Sequence, residues 1–588
     1  MAKLTLTPQQ QAVVENRGGS LLVSAAAGSG KTKVLVDRLF RYVTEERCNI
    51  DDFLIITYTK AAAAELRSKI ASELSKRLGQ TPGDQQLRRQ LLRVYQADIK
   101  TVDAFCTSLL RENTHLLARE GDSRALTPDF RVLDDNEAQL IRQRVLSRTL
   151  EDFYDQLDEG RGLLADTLGA GRDDSRLAAL VLELYDKVQS HADPAGWLAE
   201  NRTVWSGWEG GFDDTPYAAE LLASIRRKGA HWGALLRSAS ARTEGDEALY
   251  RGYGEKFLQV SVAFDALAQV QTWEAARQTE AAVAFPRLST PRGRKDEPGI
   301  AALKQVWERC KAEEKKLAGL LSVSEEEAME DLTAVAPAMV ALLELTEDFA
   351  ERYRQEKLRL NAADFSDQEH LALGLLVGSG GAPTELGEQV AARYREILVD
   401  EYQDTNEIQN AIFRAVSKNG QNIFTVGDVK QSIYRFRQAD PSIFREKLDS
   451  WPALPGGAAR PRPAEGTPGT DAMLALDANF RSAPQVVEGI NFLFERLMSP
   501  ELGDTAYGDG QRLVCGAPGE YTGSVEAHFL PDDTAETDAG WIARRIEEMV
   551  QSGEPVRDGS ATRPVQYEDC CILLAARNDF PAYVEALT

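Results

Sequence analysis

The chain opens with short apolar runs separated by stretches of helical spacing, the alternation that a parallel α/β sheet requires. SLLVSA (residues 20–25) reads as a buried strand that enters a Gly-rich turn and then a helix from Lys31. FLIITYT (53–59) is a second strand, followed by the helical stretch AAAAELRSKIASELSKRL, and a third apolar segment at 99–102 leads into the helix AFCTSLLREN. From about 130 to 390 the texture changes to long, charged, Leu- and Ala-rich stretches such as EEEAMEDLTAVAPAMVALLELTEDFAERYRQEKLRL, whose spacing is helical. Strand signals return in REILVDEYQD and NIFTVGD, so the helical stretch reads as an insertion into one sheet. Residues 452–472, PALPGGAARPRPAEGTPGTDA, lack apolar periodicity and read as a flexible loop or linker. Beyond it MLALDANFR, SVEAHFL and EDCCILLAA look like strands of a second α/β domain. The expected division is 1–125 and 386–450 for the first domain, 126–385 for the helical insertion, 451–472 for the linker and 473–588 for an incomplete second domain. The final FPAYVEALT carries no terminal helix cap, which suggests a truncated sequence.

Composition narrows the class. With 588 residues, 43% hydrophobic and 27% charged, the chain has ample material for several buried cores. No stretch approaches the ~18 uninterrupted apolar residues of a membrane span. MAKLTLTPQQQ lacks the basic start and apolar core of a secretory leader, so a cytoplasmic location is expected. Six cysteines without CxxC spacing and five dispersed histidines indicate neither a disulfide framework nor a zinc site, and Cys570 and Cys571 read as packing residues. Lys+Arg 68 against Asp+Glu 92 gives a net charge of -24, which excludes coating nucleic acid through bulk positive charge. DNA binding would require a local groove.

Three segments carry chemistry. AAAGSGKT, the run Ala25, Ala26, Ala27, Gly28, Ser29, Gly30, Lys31 and Thr32, lies between a strand and a helix, where backbone N–H groups and the helix N-terminus hold polyphosphate. Lys31 would reach the β and γ phosphates and Thr32 would bind Mg²⁺; Ala25 stands where the strict motif has Gly. ILVDEYQD ends a strand in two acids: Asp400 can hold Mg²⁺, and Glu401 can orient and deprotonate an attacking water. TVGDVKQSIYRFRQAD ends another strand with Gln431, placed to touch a γ-phosphate or the lytic water. Tyr434, Arg435, Phe436 and Arg437 interleave rings with cations, a pattern that suits single-stranded bases and equally an ordinary amphipathic turn.

LTPQQQAVV, VSAAAGSGKTKVLVDR, ITYTKAAAAELRSKI, TVDAFCTSLLRE, DFSDQEHLAL, ILVDEYQDTN, TVGDVKQSIYRFRQADP and LDANFRSAP follow one another along nearly the whole chain. In that order they resemble the UvrD-like superfamily 1 DNA helicases, and within them the helicase subunits of AddAB-type helicase-nucleases. The resemblance implies RecA-like P-loop motor domains that bind ATP and Mg²⁺ and convert nucleotide-driven closure into 3′ to 5′ steps along DNA. It also implies an AddB partner subunit, single- and double-stranded DNA ends as substrate, and a role in double-strand-break repair. The later helicase motifs and the nuclease are expected beyond Thr588. Gln10 matches a glutamine that reads the adenine edge, Arg481 an arginine that reaches the γ-phosphate from the second domain, and Phe480 a ring stacking on adenine. Arg38 is expected near the base. Tyr58, Tyr434 and Phe436 match rings that stack on single-stranded DNA, with a core role open for Tyr58. Thr101 matches a backbone-phosphate contact, whereas Asp103 departs from the family's histidine. A P-loop kinase or GTPase-like switch would lack the QSIYRFR and NFRSAP segments.

Overall fold

A computed structural model of the chain describes residues 6–117, 126–168, 175–295, 297–378, 380–435, 438–454, 458–464, 467–500, 505–508, 510–516, 523–530, 537–558 and 561–588. The chain forms two compact units, Met1–Leu116 with Gln368–Thr588, and Leu117–Asp367.

The strands, in chain order, are β1 (Leu21–Ala25), β2 (Phe53–Thr57), β3 (Asp98–Thr101), β4 (Arg131–Val132), β5 (Ala362–Ala363), β6 (Glu396–Val399), β7 (Ile423–Gly427) and β8 (Ala472–Leu476). Six of them form one sheet in the order β3-β2-β6-β7-β1-β8, and every pairing is parallel. Strands covered on both faces need apolar residues at consecutive positions, which is why LLVSA and FLIIT are buried throughout. Helix α1 (Pro8–Glu15) precedes β1, and α2 (Lys31–Glu45), α3 (Lys60–Gln80), α4 (Gln85–Arg93) and α5 (Val102–Glu112) follow the first three strands. Leu35, Leu39, Phe40 and Ile70 fill one face of the sheet, and Val102, Phe105, Ile412 and Phe413 the other.

The strand order fixes where chemistry can happen. β7 lies between β1 and β6, so the loops after all three strands emerge side by side at the sheet's carboxyl edge. That edge is where open parallel sheets bind ligands.

Four sequence expectations need correction. MLAL, placed at the start of a second domain, is β8, the sixth strand of the first sheet, in register with β1 from Leu21↔Ala472 to Ala25↔Leu476. The described part of the Pro- and Gly-rich tract before it is pinned rather than free. Arg17 donates to the Arg460 carbonyl, and Arg460 bonds Asn16, the Thr470 carbonyl and the Ser20 carbonyl. A tract without periodicity can be a crossover held by its polar groups as readily as a linker. SVEAHFL and the ILLAA of EDCCILLAA form no strand; the pairs present instead are β9 (Ala478–Asn479) with β10 (Val514–Cys515), and β11 (Pro555–Asp558) with β12 (Ala561–Pro564). Cys571 is exposed and Cys570 only half-buried, so neither packs a core.

The second unit is helical, as expected, but it closes at Asp367 rather than near 385. Ala372 and Leu376, on the helix Phe365–Leu376, already pack beneath the sheet. The helix Glu325–Arg359 contributes to three apolar clusters of this unit. Near its end the fully buried Lys357 pairs with Asp364 at 3.0 Å and Asp367 at 2.6 Å. No helix among the described residues is long and apolar enough to cross a membrane.

Candidate nucleotide site

The loop between β1 and α2 is shaped by two glycines. Gly28 and Gly30 adopt φ +73° and +86°, a region that side chains with a Cβ avoid. A Cβ on Gly28 would also lie 3.0 Å from both Arg481 Cβ and Asn479 Cγ, so the loop is closely covered. Gly30 caps α2 without a side-chain bond, and the first turn holds no acid, leaving the helix's initial N–H groups and its positive end available to an anion. Ala25 is the buried last residue of β1, and Ala26 donates its N–H to the Leu476 carbonyl at 2.8 Å. Among the described residues Ser29 Oγ, which is buried, has no hydrogen-bond partner.

Lys31 and Glu401, 370 residues apart in sequence, meet at 2.5 Å. Glu401 reaches Lys31 from the first turn after β6, where its backbone takes a left-handed φ of 50°. Strain of this kind, about 1–3 kcal/mol, persists only where surrounding contacts hold it. Asp400 precedes it and accepts the Glu401 N–H at 3.0 Å. Burial and the neighbouring Glu401 charge push the Asp400 carboxyl up to about 6, against the pull of Lys31. The same causes raise Asp404 to about 7, and its buried Oδ1 has no partner among the described residues. Thr32, half-buried, begins α2 beside Lys31. A hydroxyl and one carboxylate, completed by phosphate oxygens and water, match the sparse protein ligation that Mg²⁺ accepts. The unpartnered Ser29 and Asp404 oxygens and the open α2 terminus fit a phosphate chain with its metal.

Gln431 follows β7 and donates to Asp428 Oδ2 at 2.8 Å, one strand away from Glu401. The NFRS segment lies directly on the phosphate loop. Asn479 Nδ2 donates to the Ala27 carbonyl at 2.9 Å, and the Phe480 N–H to the Gly28 carbonyl at 2.9 Å. Asn479 Oδ1 accepts the N–H groups of Arg481 and Ser482, an Asx-type turn that leaves the Arg481 side chain exposed. The half-buried Phe480 ring covers Gly516, where a Cβ would come within 2.6 Å of it. Gln10 is at the same loop, with its Nε2 on the Ser29 carbonyl at 2.9 Å and its Oε1 on the Thr7 N–H at 3.0 Å. Both ends of that carboxamide are engaged, so reading a base would exchange these bonds for others.

Arg38 is elsewhere. It is fully buried, bound to Glu396 through Nε at 2.9 Å and Nη2 at 2.5 Å, and to the Val13 carbonyl at 2.7 Å. Glu396 begins β6, so Arg38 faces the opposite end of the sheet from the phosphate loop. Its position seven residues along α2, roughly 10 Å from the helix start, carries it out of reach of the site. Thr101 is buried and caps α5 by accepting the Ala104 N–H at 3.2 Å, which commits its hydroxyl to the fold. Tyr58 is half-buried with its hydroxyl paired to the Thr405 hydroxyl, and Tyr434 is half-buried beside the exposed Arg435. Phe436 and Arg437 lie outside the described residues.

Asp103, half-buried, lies near Glu369, whose carboxyl is lifted to about 8 by burial and by that neighbour, although Gln409 donates to it at 2.8 Å. A folded-state value above the unfolded one means the folded chain holds this proton more tightly. The stabilisation is complete below the unfolded value and disappears as pH rises through about 8. Glu369→Gln should therefore flatten the loss of stability between pH 5.5 and pH 8.5, by on the order of a few kcal/mol at the alkaline end. Urea midpoints of the two proteins at both pH values check it.

Sequence reasoning missed Gln403, Asp428, Lys430 and Asn479. Asp428 accepts from the Lys430 backbone at 3.1 Å and pairs with its ammonium at 2.8 Å, and Lys430 also donates to Gln511 at 2.7 Å. An Asn between a strand and a Ser-Ala-Pro helix start was the available signal for the turn at Asn479; the others become visible only once β7 is seen beside β6.

A parallel sheet with its phosphate loop, acidic strand end and covering arginine segment defines a P-loop nucleotide-binding protein. Residues 6–452 match the UvrD/REP helicase N-terminal domain, and the chain belongs to that family. It is 34% identical over 93% of its length to the ATP-dependent helicase/nuclease A subunit of Syntrophomonas wolfei, covering 42% of that protein. It is 35% identical over 91% of its length to the protein of the same name from Desulforudis audaxviator, covering 44% of it. To the one from Clostridium novyi it is 30% identical over 100% of its length, covering 49%. The chain thus spans about half the length of the curated relatives it matches.

Proposed function

We propose that the chain is the ATP-driven DNA translocase part of the A subunit of an ATP-dependent helicase/nuclease. What supports the reading is that Glu401 and the Asn479–Arg481 turn meet the loop that carries Lys31, while Asp400 and Gln431 stand at the ends of the neighbouring strands β6 and β7, so four separate regions of the sequence border one sheet edge. Bound Mg²⁺–ATP supplies the phosphoanhydride and a divalent charge beside the transferred group. Lys31 would turn from Glu401 to the phosphates, and Thr32 and Asp400 would hold Mg²⁺. Glu401, released from Lys31, takes the proton of the attacking water, and Gln431 senses the γ-phosphate from β7. Arg481 stabilises charge in transfer. Gln10 and Phe480 border the base. Tyr58, Tyr434 and Phe436 serve single-stranded DNA, and the polarity is 3′ to 5′. The intact protein works in the cytoplasm with an AddB partner on double-strand ends; no nuclease residue is assigned in this chain.

ATP hydrolysis measured with and without single-stranded DNA tests this, with stimulation by DNA expected; nucleotide binding unaffected by loss of Lys31 would refute it. The raised Asp400 carboxyl adds a pH signature. Metal binding needs the ionised form, so Mg²⁺-dependent nucleotide affinity should fall as pH drops through about 6, by close to tenfold per unit below it. Affinity for nucleotide without Mg²⁺, measured by fluorescence over the same range, should change far less.

A further inference from the structure

The Gln403 carboxamide is fixed in one orientation. Its Oε1 accepts the Asp428 N–H at 2.9 Å, so its Nε2 faces the other way and donates to Glu401 Oε2 at 3.0 Å, with Asp404 Oδ2 at 3.4 Å. The residue is 2% exposed. Gly427 makes the room, since a Cβ there would lie 2.3 Å from Gln403 Oε1. Ser432 donates to the Gln403 carbonyl at 3.3 Å, adding a second tie to the segment after β7. One side chain therefore joins the Asp428–Gln431 turn to Glu401.

The Glu401 oxygen that Gln403 holds is also the one that holds Lys31. Lys31 must leave it to reach a phosphate. Among the described residues Gln403 is then the side chain that remains on Glu401, at a residue whose backbone is strained. We propose that Gln403 is a positioning residue that keeps Glu401 aimed at the attacking water once Lys31 has turned away, and that it ties this alignment to the turn after β7. The proposal rests on the reading of this site as an ATP hydrolase. It assigns Gln403 no contact with the nucleotide, so ground-state binding should not depend on it.

Gln403→Glu and Gln403→Ala separate positioning from packing. The glutamate variant keeps an acceptor for the Asp428 N–H and replaces the donor to Glu401 by a carboxylate that repels it; the alanine variant removes both contacts without adding charge. Single-turnover ATP hydrolysis in the presence of single-stranded DNA should fall at least about tenfold in both variants. ADP affinity should stay within about twofold of the parent chain, while binding of ADP with aluminium fluoride, which mimics the planar phosphoryl group, weakens at least about tenfold. Hydrolysis within about twofold of the parent in Gln403→Glu overturns the proposal, as does a parallel loss of ADP binding in both variants, which would make the residue structural. A parent chain that neither hydrolyses ATP nor prefers ADP with aluminium fluoride to ADP alone refutes the hydrolase reading itself. That result is distinct from failure of the Gln403 role in an active parent.

Discussion

Lys31→Ala is expected to abolish ATP hydrolysis, lowering kcat/KM by about 10³-fold, or about 4 kcal/mol of transition-state stabilisation. Lys31 begins α2 at the phosphate loop and is the one cationic side chain paired with Glu401 among the described residues. The fold should survive the change. The Glu401 side chain keeps 39% of its exposure, so loss of the lysine leaves a carboxylate that water can reach, at a cost of about 1 kcal/mol. Far-UV circular dichroism and the urea midpoint should stay near those of the parent while hydrolysis disappears. A variant that hydrolyses ATP at the parent's rate would place the reaction elsewhere.

Arg38→Met is expected to destabilise the sheet unit strongly. Arg38 and Glu396 are 1% and 6% exposed at their side chains and make a two-pronged pair, to which Tyr42 adds its hydroxyl at 3.2 Å. Removing one partner of such a pair leaves the other charge buried without compensation, at a cost of about 3–5 kcal/mol. Changing both partners is different in kind. Arg38→Met with Glu396→Leu replaces two desolvated charges by packing and should recover most of the loss. Urea denaturation of the single and double variants tests both statements, and a double variant no more stable than the single one would contradict the account.

How far the sequence could be read depended on whether a residue's role was local. The phosphate loop was legible because its glycines, its lysine and the strand before it are contiguous and their geometry follows from the backbone. The same was true of β6, whose apolar run ends abruptly in two acids. Arg38 was misplaced because nothing in VLVDR indicates which side of α2 faces Glu396, a residue 358 positions away. Thr101 looked like a contact and is a helix cap, a role its place before VDAF could have suggested. From sequence β8 reads as part of a second domain because a long tract rich in Pro and Gly precedes it, and the polar contacts of Arg460 that bring the chain back to the sheet are not periodic. Gln403 lies inside the recognised acidic motif, yet its partner Asp428 arrives from the neighbouring strand.

The incorporation of β8 into the sheet has a mechanical corollary. Arg481 lies only five positions beyond Leu476, which is anchored by hydrogen bonds. At roughly 3.5 Å per residue that leash lets the arginine wander no more than about 18 Å from its anchorage, whatever the polypeptide beyond it does. The stretch of backbone that bears this guanidinium is thus doubly moored, to the strand behind it and to the Ala27 and Gly28 carbonyls.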